Sequence, residues 1–333
     1  MKALVTGAGG FLGRSIVRRL LADGMAVRAM VRPGHAFDEP RAEVVEGDIC
    51  DETSVAAAVR GVDVVVHAAA RVSTSGSWEE FAEANIRGTR RVIRAATAAG
   101  AQRIVHISSL SVYAVERDGI LVTEDSAYES ESDARGHYSR SKLAADRLAR
   151  HAAQQGAPVV VLRPGLLYGP GKPPPLARQS FTAGRWKLIL AHRDYVLPLT
   201  YVDNAADAVA RALRSDAAVG QAFTIVDANV VQAAYVAEYR RVSGERWHPV
   251  FLPVGAVAVA ALVLERALRL ARRRSPITYH QVRRATLSAR FDCSCAQEVL
   301  GWTPAVGVSE GLRRAFSALG TGGTVVGSNG RAV

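Results

Sequence analysis

Over the first 110 residues, short unbroken apolar runs alternate with stretches whose apolar positions recur every three or four residues. Lys2–Thr6, Ala26–Val31, Glu43–Glu46, Asp63–His67 and Arg103–Ser108 read as strands. Leu12–Ala22, Thr53–Val59 and Trp78–Ala99 read as the helices between them. The clearest strand, Val62-Asp63-Val64-Val65-Val66-His67, has little polar alternation, as a strand covered by helices on both faces should. This order predicts an α/β fold, a doubly wound parallel sheet with crossover helices. Further on, a helix is expected from Ser139 to about Gln155 and another from Asp203 to Arg214. Val159–Leu162 reads as a strand ended by Arg163-Pro164-Gly165, and Gln221–Val226 as a late strand.

These later pieces alternate between finishing the sheet and building over its carboxyl edge. The expected division is residues 1–165 mainly as a nucleotide-binding domain and 166–319 mainly as a smaller substrate-binding cap. Some cap segments are interleaved with the core, and 320–333 is a glycine-rich flexible tail. Residues 249–264 carry no charge and precede Arg266, Arg269, Arg272, Arg273 and Arg274. The run holds two prolines and a glycine and is short for a membrane span, which needs about 20 apolar residues. Three readings stay open: a buried cap helix, a lid over an apolar substrate, or peripheral lipid contact through 249–274.

Composition narrows the class. The chain has 333 residues, of which 49% are hydrophobic and 22% charged, so it can bury a large core and is not a disordered chain. Three cysteines, Cys50, Cys293 and Cys295, cannot build a disulfide scaffold, and no Cys/His cluster specifies a metal. The opening MKALVTGAGG reads as a first strand and not a signal peptide, so a cytoplasmic, reduced setting is expected, with the membrane surface as the variant. Net charge is +11, almost all from arginine. No basic stripe interleaved with aromatics is visible, so nucleic acid is not an expected partner. An acidic cofactor or anionic surface suits the charge better.

The first chemical constellation is Thr6-Gly7-Ala8-Gly9-Gly10-Phe11-Leu12-Gly13, between the first strand and first helix. Gly7 permits a tight turn, Gly10 lets the backbone approach a diphosphate, and Gly13 lets the helix pack against strands. The amino end of the helix then meets negative charge. That is a Rossmann-type dinucleotide site, with Phe11 and Leu12 among its lining. Arg32 stands at the end of the second strand, where a NAD site usually has an acid, and so favours the 2′-phosphate of NADP(H) over NAD(H). Asp48 could accept from the adenine amine beside Ile49, or merely cap its own turn. Ala68 and Ala69 offer small side chains after the fourth strand.

The second constellation is a strand-end serine with Tyr138 and Lys142. Tyr and Lys four apart share one helix face. A phenol of reference pKa about 10 needs a nearby ammonium, and the nicotinamide's own charge, to work as a proton carrier near neutrality. Ser108, Ser109 and Ser111 compete for the role of holding a substrate oxygen.

With these motifs together, the chain resembles the extended branch of the short-chain dehydrogenase/reductase superfamily, the NAD-dependent epimerase/dehydratase family, to about residue 318. The resemblance to Ser109-Leu110-Ser111-Val112-Tyr113 selects Ser109, with Tyr138 and Lys142 as the catalytic pair. It also implies a supporting role for the Asn85-Ile86-Arg87-Gly88-Thr89 segment. It places the Arg163–Pro170 loop, with Pro164, Leu166 and Leu167, beside the nicotinamide. Tyr201–Ala206 resembles a helix start at the cap. Ser275-Pro276-Ile277-Thr278, Phe291-Asp292 and Leu300-Gly301-Trp302-Thr303-Pro304 resemble 3β-hydroxysteroid dehydrogenase-like bacterial proteins. The resemblance implies an oxidoreductase interconverting a secondary alcohol and ketone on a large apolar substrate, sterol-like or a long-chain 3-keto acid. It further implies a homodimer through the helices near Trp78–Ala99 and Ser139–Gln155. A dehydratase is disfavoured because Leu110, not an acid, follows Ser109. A sugar epimerase and a nonenzymatic cofactor-binding regulator are the alternatives.

Overall fold

The computed structural model describes residues 1–73, 75–130, 136–172, 174–178, 180–189, 192–252 and 287–320, with seven single positions between 255 and 268. Most of the apolar run and its arginine cluster, the Ser275–Thr278 motif and nearly all of the expected tail lie outside the described residues.

The chain forms two compact units. The first comprises Met1–Gly165, Val202–Asp227 and Leu287–Pro304. Its strands are β1 (Lys2–Thr6), β2 (Ala26–Val31), β3 (Glu43–Glu46), β4 (Val64–His67), β5 (Arg103–Ile107), the short β6 (Ile120–Val122), β7 (Val159–Pro164) and, later in the chain, β12 (Ala222–Ile225) and β15 (Ala289–Phe291). Seven of them make one parallel sheet in the order β12-β7-β5-β4-β1-β2-β3, and β6 pairs with β15. The order reverses direction between β1 and β4. Ligands of such sheets bind at that switch point, outside the carboxyl ends of the strands.

The helices of this unit include α1 (Phe11–Ala22), α2 (Glu52–Ala58), α3 (Trp78–Phe81), α4 (Gly88–Ala98), α5 (His137–Gln154), α6 (Val202–Ala212) and, later in the chain, Ser294–Leu300. α1 packs beside α6, while α2 and α5 flank α4. Leu4, Val65, Ile104 and Val159 on the sheet meet Val55, Val92, Ile93 and Ala149 from α2, α4 and α5 in one buried cluster. Each fully buried aliphatic side chain here contributes about 1.5–3 kcal/mol.

Three local features depart from the expectations. The predicted helix Trp78–Ala99 is interrupted by a π-helical segment, Ala82–Arg87. Such a segment adds a residue to the turn and commonly accompanies a functional site. α5 begins at His137 and not at Ser139, because Gly136, at φ 77°, makes the break instead of a serine cap. β7 runs on through Arg163 and Pro164, where the motif had been read as its end. Thr224 of β12 is the register partner of Arg163.

The second unit comprises Leu166–Tyr201 and the described parts of 228–286 and 305–333. One three-stranded sheet is built from β8 (Leu166–Tyr168), β11 (Val196–Tyr201) and β13 (Ala228–Val231); another from β9 (Ser180–Ala183), β10 (Trp186–Ile189) and β14 (His248–Phe251). α7 (Gln232–Ser243) and the helix Val308–Gly320 are the longer helices of the described part. Its core is aromatic, centred on Tyr168, Tyr201, Tyr235, Tyr239 and Trp247. A Cβ at Gly311 would stand 2.6 Å from Tyr168 Oη, so glycine is what lets this helix sit against those rings. Among the described residues, no helix is long and apolar enough to cross a membrane.

Candidate active site

The glycine turn is closed by its own backbone. Gly10 N donates to Gly7 O at 2.9 Å, and Gly7 takes φ +70°. A Cβ on Gly7 would stand 2.7 Å from Ala69 N and Cα; one on Gly13 would stand 2.1 Å from Gly7 O. Side chains are therefore excluded at both positions, and Ala68 and Ala69 line the turn from the end of β4. Gly10 is the N-cap of α1, with no side-chain cap and no acid in the first turn. A helix start left in that state, behind a backbone cradle with no room for a Cβ, suits an anion such as a dinucleotide diphosphate. Phe11 opens α1, and Leu12 is buried in its first turn.

Arg32 is exposed just past β2, with its guanidinium 3.2 Å from His35 Nε2. Arg14, which the motif reading passed over, donates from Nε to Gly9 O at 3.1 Å and from Nη2 to Ala36 O at 3.0 Å. It thereby ties the segment after Arg32 to the glycine turn. Asp48 Oδ1 accepts from Cys50 N at 2.8 Å, which is the local cap foreseen as its duller role. Ile49 is buried against Gly88, where an added Cβ would come within 2.9 Å of Ile49 Cδ1.

Asn85 sits inside the π-helical segment and is 2% exposed. Its Oδ1 accepts from Arg71 N at 2.7 Å; its Nδ2 donates to Ser141 Oγ at 2.9 Å and to Arg71 O at 3.2 Å. One amide thus joins the segment after β4 to α5, beside Lys142. His67, at the end of β4, bridges Thr6 Oγ1 (2.8 Å) and Thr89 Oγ1 (3.0 Å). Burial holds the His67 imidazole near pKa 3, with Lys142 pushing the same way, so it stays neutral. His106 stacks on it at 5.4 Å and is kept neutral by the same causes.

Ser109, two residues past the end of β5, caps the one-turn 3-10 helix Leu110–Val112, its Oγ accepting from Ser111 N at 3.2 Å. Tyr138 stands in the first turn of α5. Burial pushes its phenol upward, and a hydrogen bond with Ser109 acts in the opposite direction. The pair expected from the motif is therefore together. Lys142, one turn on, is 4% exposed and donates from Nζ to Ile107 O at 2.5 Å. Burial lowers its pKa to about 8, against the charge of Asp146, which raises it. Pro164 ends β7 in the first unit, whereas Leu166 and Leu167 stand in β8 of the second.

The motifs name Arg163 but give its side chain no partner, and they do not include Asp146. Asp146, on α5, and Arg163, on β7, form an ion pair at 2.8 Å with side chains 0% and 1% exposed. The signal is present: Asp146 interrupts the apolar face of Leu143, Ala145 and Ala149, and Arg163 interrupts an otherwise apolar strand. Charges in such positions need partners. No group of three or more His, Cys, Asp or Glu that could hold a metal occurs among the described residues.

The sequence profile of the NAD dependent epimerase/dehydratase family matches residues 3–226. A 2-alkyl-3-oxoalkanoate reductase of Shewanella oneidensis is 31% identical over 95% of this chain and 86% of its own length. A decarboxylating sterol-4-alpha-carboxylate 3-dehydrogenase of Bos taurus is 30% identical over 68% of this chain and 65% of its own. The crystal structure of gox2253 superposes with a TM-score of 0.83, at 26% identity, covering 95% of this chain and 97% of that one. The chain belongs to the NAD-dependent epimerase/dehydratase family and is an NAD(P)-dependent oxidoreductase of the extended short-chain dehydrogenase/reductase type.

Proposed function

We propose that this protein interconverts a ketone and a secondary alcohol on an apolar 3-oxo (or 3-hydroxy) carboxylic acid, with Tyr138 as acid and base. The Ser109–Tyr138 pair carries the reading: the serine acts on the buried phenol and lowers its pKa against burial, in the unit that also holds the glycine cradle. A bound nicotinamide supplies the hydride for reduction or accepts it for oxidation. In reduction Tyr138 Oη gives its proton to the substrate oxygen while Ser109 Oγ donates a hydrogen bond to that oxygen as charge grows on it. In oxidation both steps reverse. Lys142, held against the Ile107 carbonyl, favours the phenolate form through its charge.

Gly7, Gly10, Phe11, Leu12 and Gly13, with Ala68 and Ala69, are assigned to the dinucleotide. Asp48 and Ile49 are assigned to the adenine side, and Asn85 and Pro164 to support around the nicotinamide. Arg32 is assigned to the 2′-phosphate, making NADP(H) the preferred form. Arg14 supports that choice by tying down the segment after Arg32.

The substrate class rests on chemistry common to two relatives. The names 2-alkyl-3-oxoalkanoate reductase and sterol-4-alpha-carboxylate 3-dehydrogenase both describe an oxygen-bearing carbon beta to a carboxyl carbon, within an apolar skeleton. A net charge of +11 suits an anionic substrate of this kind. In the apolar run, Val259 and Val263 are 59% and 62% exposed.

The test supplies purified protein with NADPH or NADH and a series of 2-alkyl-3-oxo acids, sterol 3-ketones and UDP-sugars, following cofactor absorbance and product together. Oxidation of NADPH with formation of a 3-hydroxy acid is expected. Isomerised sugar with no net cofactor change would establish the epimerase alternative. Tight cofactor binding with no turnover of any substrate would establish the regulator.

A further inference from the structure

We propose that Asp146 and Arg163 are positioning residues, which hold the strand end carrying Ser109 in register with the helix carrying Tyr138 and Lys142. The proposal rests on the functional reading above. On α5, Tyr138, Lys142 and Asp146 follow at four-residue intervals and share one face. Tyr138 reaches Ser109, Lys142 reaches Ile107 O, and Asp146 reaches Ser108. Three consecutive residues at the end of β5 are thus gripped by three successive turns of one helix.

Asp146 is saturated. Its Oδ2 accepts from Ser108 Oγ at 2.5 Å and Arg163 Nε at 2.9 Å; its Oδ1 accepts from Arg163 Nη2 at 2.8 Å and Tyr128 Oη at 3.1 Å. Arg163 extends the grip to the far side of the serine. Its Nη1 donates to Tyr113 Oη at 2.6 Å and its Nη2 to Tyr128 Oη at 2.6 Å, with the guanidinium over both rings at 4.8 and 5.2 Å. Tyr113 closes the 3-10 turn that Ser109 opens. Ser109 therefore lies between two anchored residues, Ser108 and Tyr113, which meet the same ion pair.

Stability alone does not explain this arrangement. A fully buried ion pair is often no more stabilising than apolar side chains of the same volume, because two charges must be desolvated. What the pair does provide is direction. The planar guanidinium fork and the carboxylate meet in a fixed bidentate geometry that a lysine or an apolar pair cannot reproduce.

The experiment compares wild type, Arg163→Lys and the double variant Asp146→Leu/Arg163→Met. NADPH affinity is read by fluorescence titration, and kcat and KM with a 2-alkyl-3-oxo acid. The double variant leaves no buried charge unpaired, so it should stay folded, its melting temperature lowered only by the hydrogen bonds lost at Ser108, Tyr113 and Tyr128, and bind NADPH within threefold of wild type, yet lose about 10²-fold in kcat, the scale of a small misplacement. Arg163→Lys keeps the charge and loses the fork; its kcat should fall more than tenfold with KM little changed. Wild-type kcat in either variant would overturn the proposal. A crystal structure of the double variant gives a readout independent of turnover: retention of the Ser109–Tyr138 hydrogen bond would also overturn it. Wild-type protein idle on every 3-oxo acid would defeat the functional reading, and the crystallographic comparison would still decide this one.

Discussion

Lys142 Nζ donates a 2.5 Å hydrogen bond to the carbonyl oxygen of Ile107, the last residue of the strand that precedes Ser109. A full ammonium is thereby spent inside the protein, against one neutral acceptor. Burial lowers its pKa to about 8, and Asp146 acts the other way. The two histidines that face it, His67 and His106, are both held neutral.

This lysine costs stability, and the sign follows from proton linkage. Unfolded lysine keeps its proton to about pH 10.4, so between pH 8 and 10 the unfolded chain binds more protons, and stability rises with pH across that window. Below it the penalty is full, about 3 kcal/mol, offset by about 1 kcal/mol for the hydrogen bond. Lys142→Met should therefore be more stable than wild type at pH 7 by about 1–2 kcal/mol. The advantage should fade towards pH 10, with turnover lost throughout. Urea melts at several pH values check this; a variant weaker than wild type at pH 7 contradicts it.

Tyr138→Phe removes the hydroxyl that meets Ser109 and leaves the ring. Turnover should drop by about 10²–10⁴-fold, with NADPH affinity and melting temperature almost unchanged. Unaltered kcat would remove Tyr138 from the proton transfer. Ser109→Ala should be milder in rate and equally well folded.

Gly13→Ala places a Cβ 2.1 Å from Gly7 O and 2.9 Å from Ala8 Cα, both backbone atoms that cannot swing away. Overpacking of this kind costs about 1–3 kcal/mol, and here it also spreads the cradle. The variant should melt earlier and bind NADPH at least tenfold more weakly in a calorimetric titration. Wild-type affinity would show that the turn is not the diphosphate site.

Arg32→Glu tests the cofactor form. If Arg32 meets the 2′-phosphate by a charge-assisted bond, KM for NADPH should rise about 10–100-fold, with KM for NADH steady or lower. Equal changes with both cofactors would mean that Arg32 only faces solvent beside His35. Arg14→Ala should blur the same preference by freeing the segment that it ties to Gly9.

The site was partly legible beforehand. Gly7, Gly10 and Gly13 announce themselves because a dinucleotide turn needs glycine for steric reasons, and Tyr138 and Lys142 because four-residue spacing on a helix makes them neighbours. Asp48 could be read two ways, and its carboxylate oxygen is taken by Cys50 N. The π-helical segment was invisible: Trp78–Ala99 has ordinary helical spacing, and only the pull of Arg71 and Ser141 on Asn85 shows what the extra residue accomplishes. Nothing in local propensity announces the strands of the second unit, because β8 to β11 are short and set by tertiary pairing.

By itself, the sequence determined the parallel sheet, the glycine turn and the pairing of Tyr138 with Lys142 on one helix face. Those follow from short-range rules: unbroken apolar runs, side chains that do not fit, and residues one helical turn apart. Only the tertiary structure decided that Asp146 on α5 would meet Arg163 on β7 and fasten Ser108 and Tyr113 on either side of Ser109. Such a match joins residues 17 to 50 positions apart, and no local pattern records it. It exists because a buried charge must find its counterpart wherever the folded chain brings one within reach.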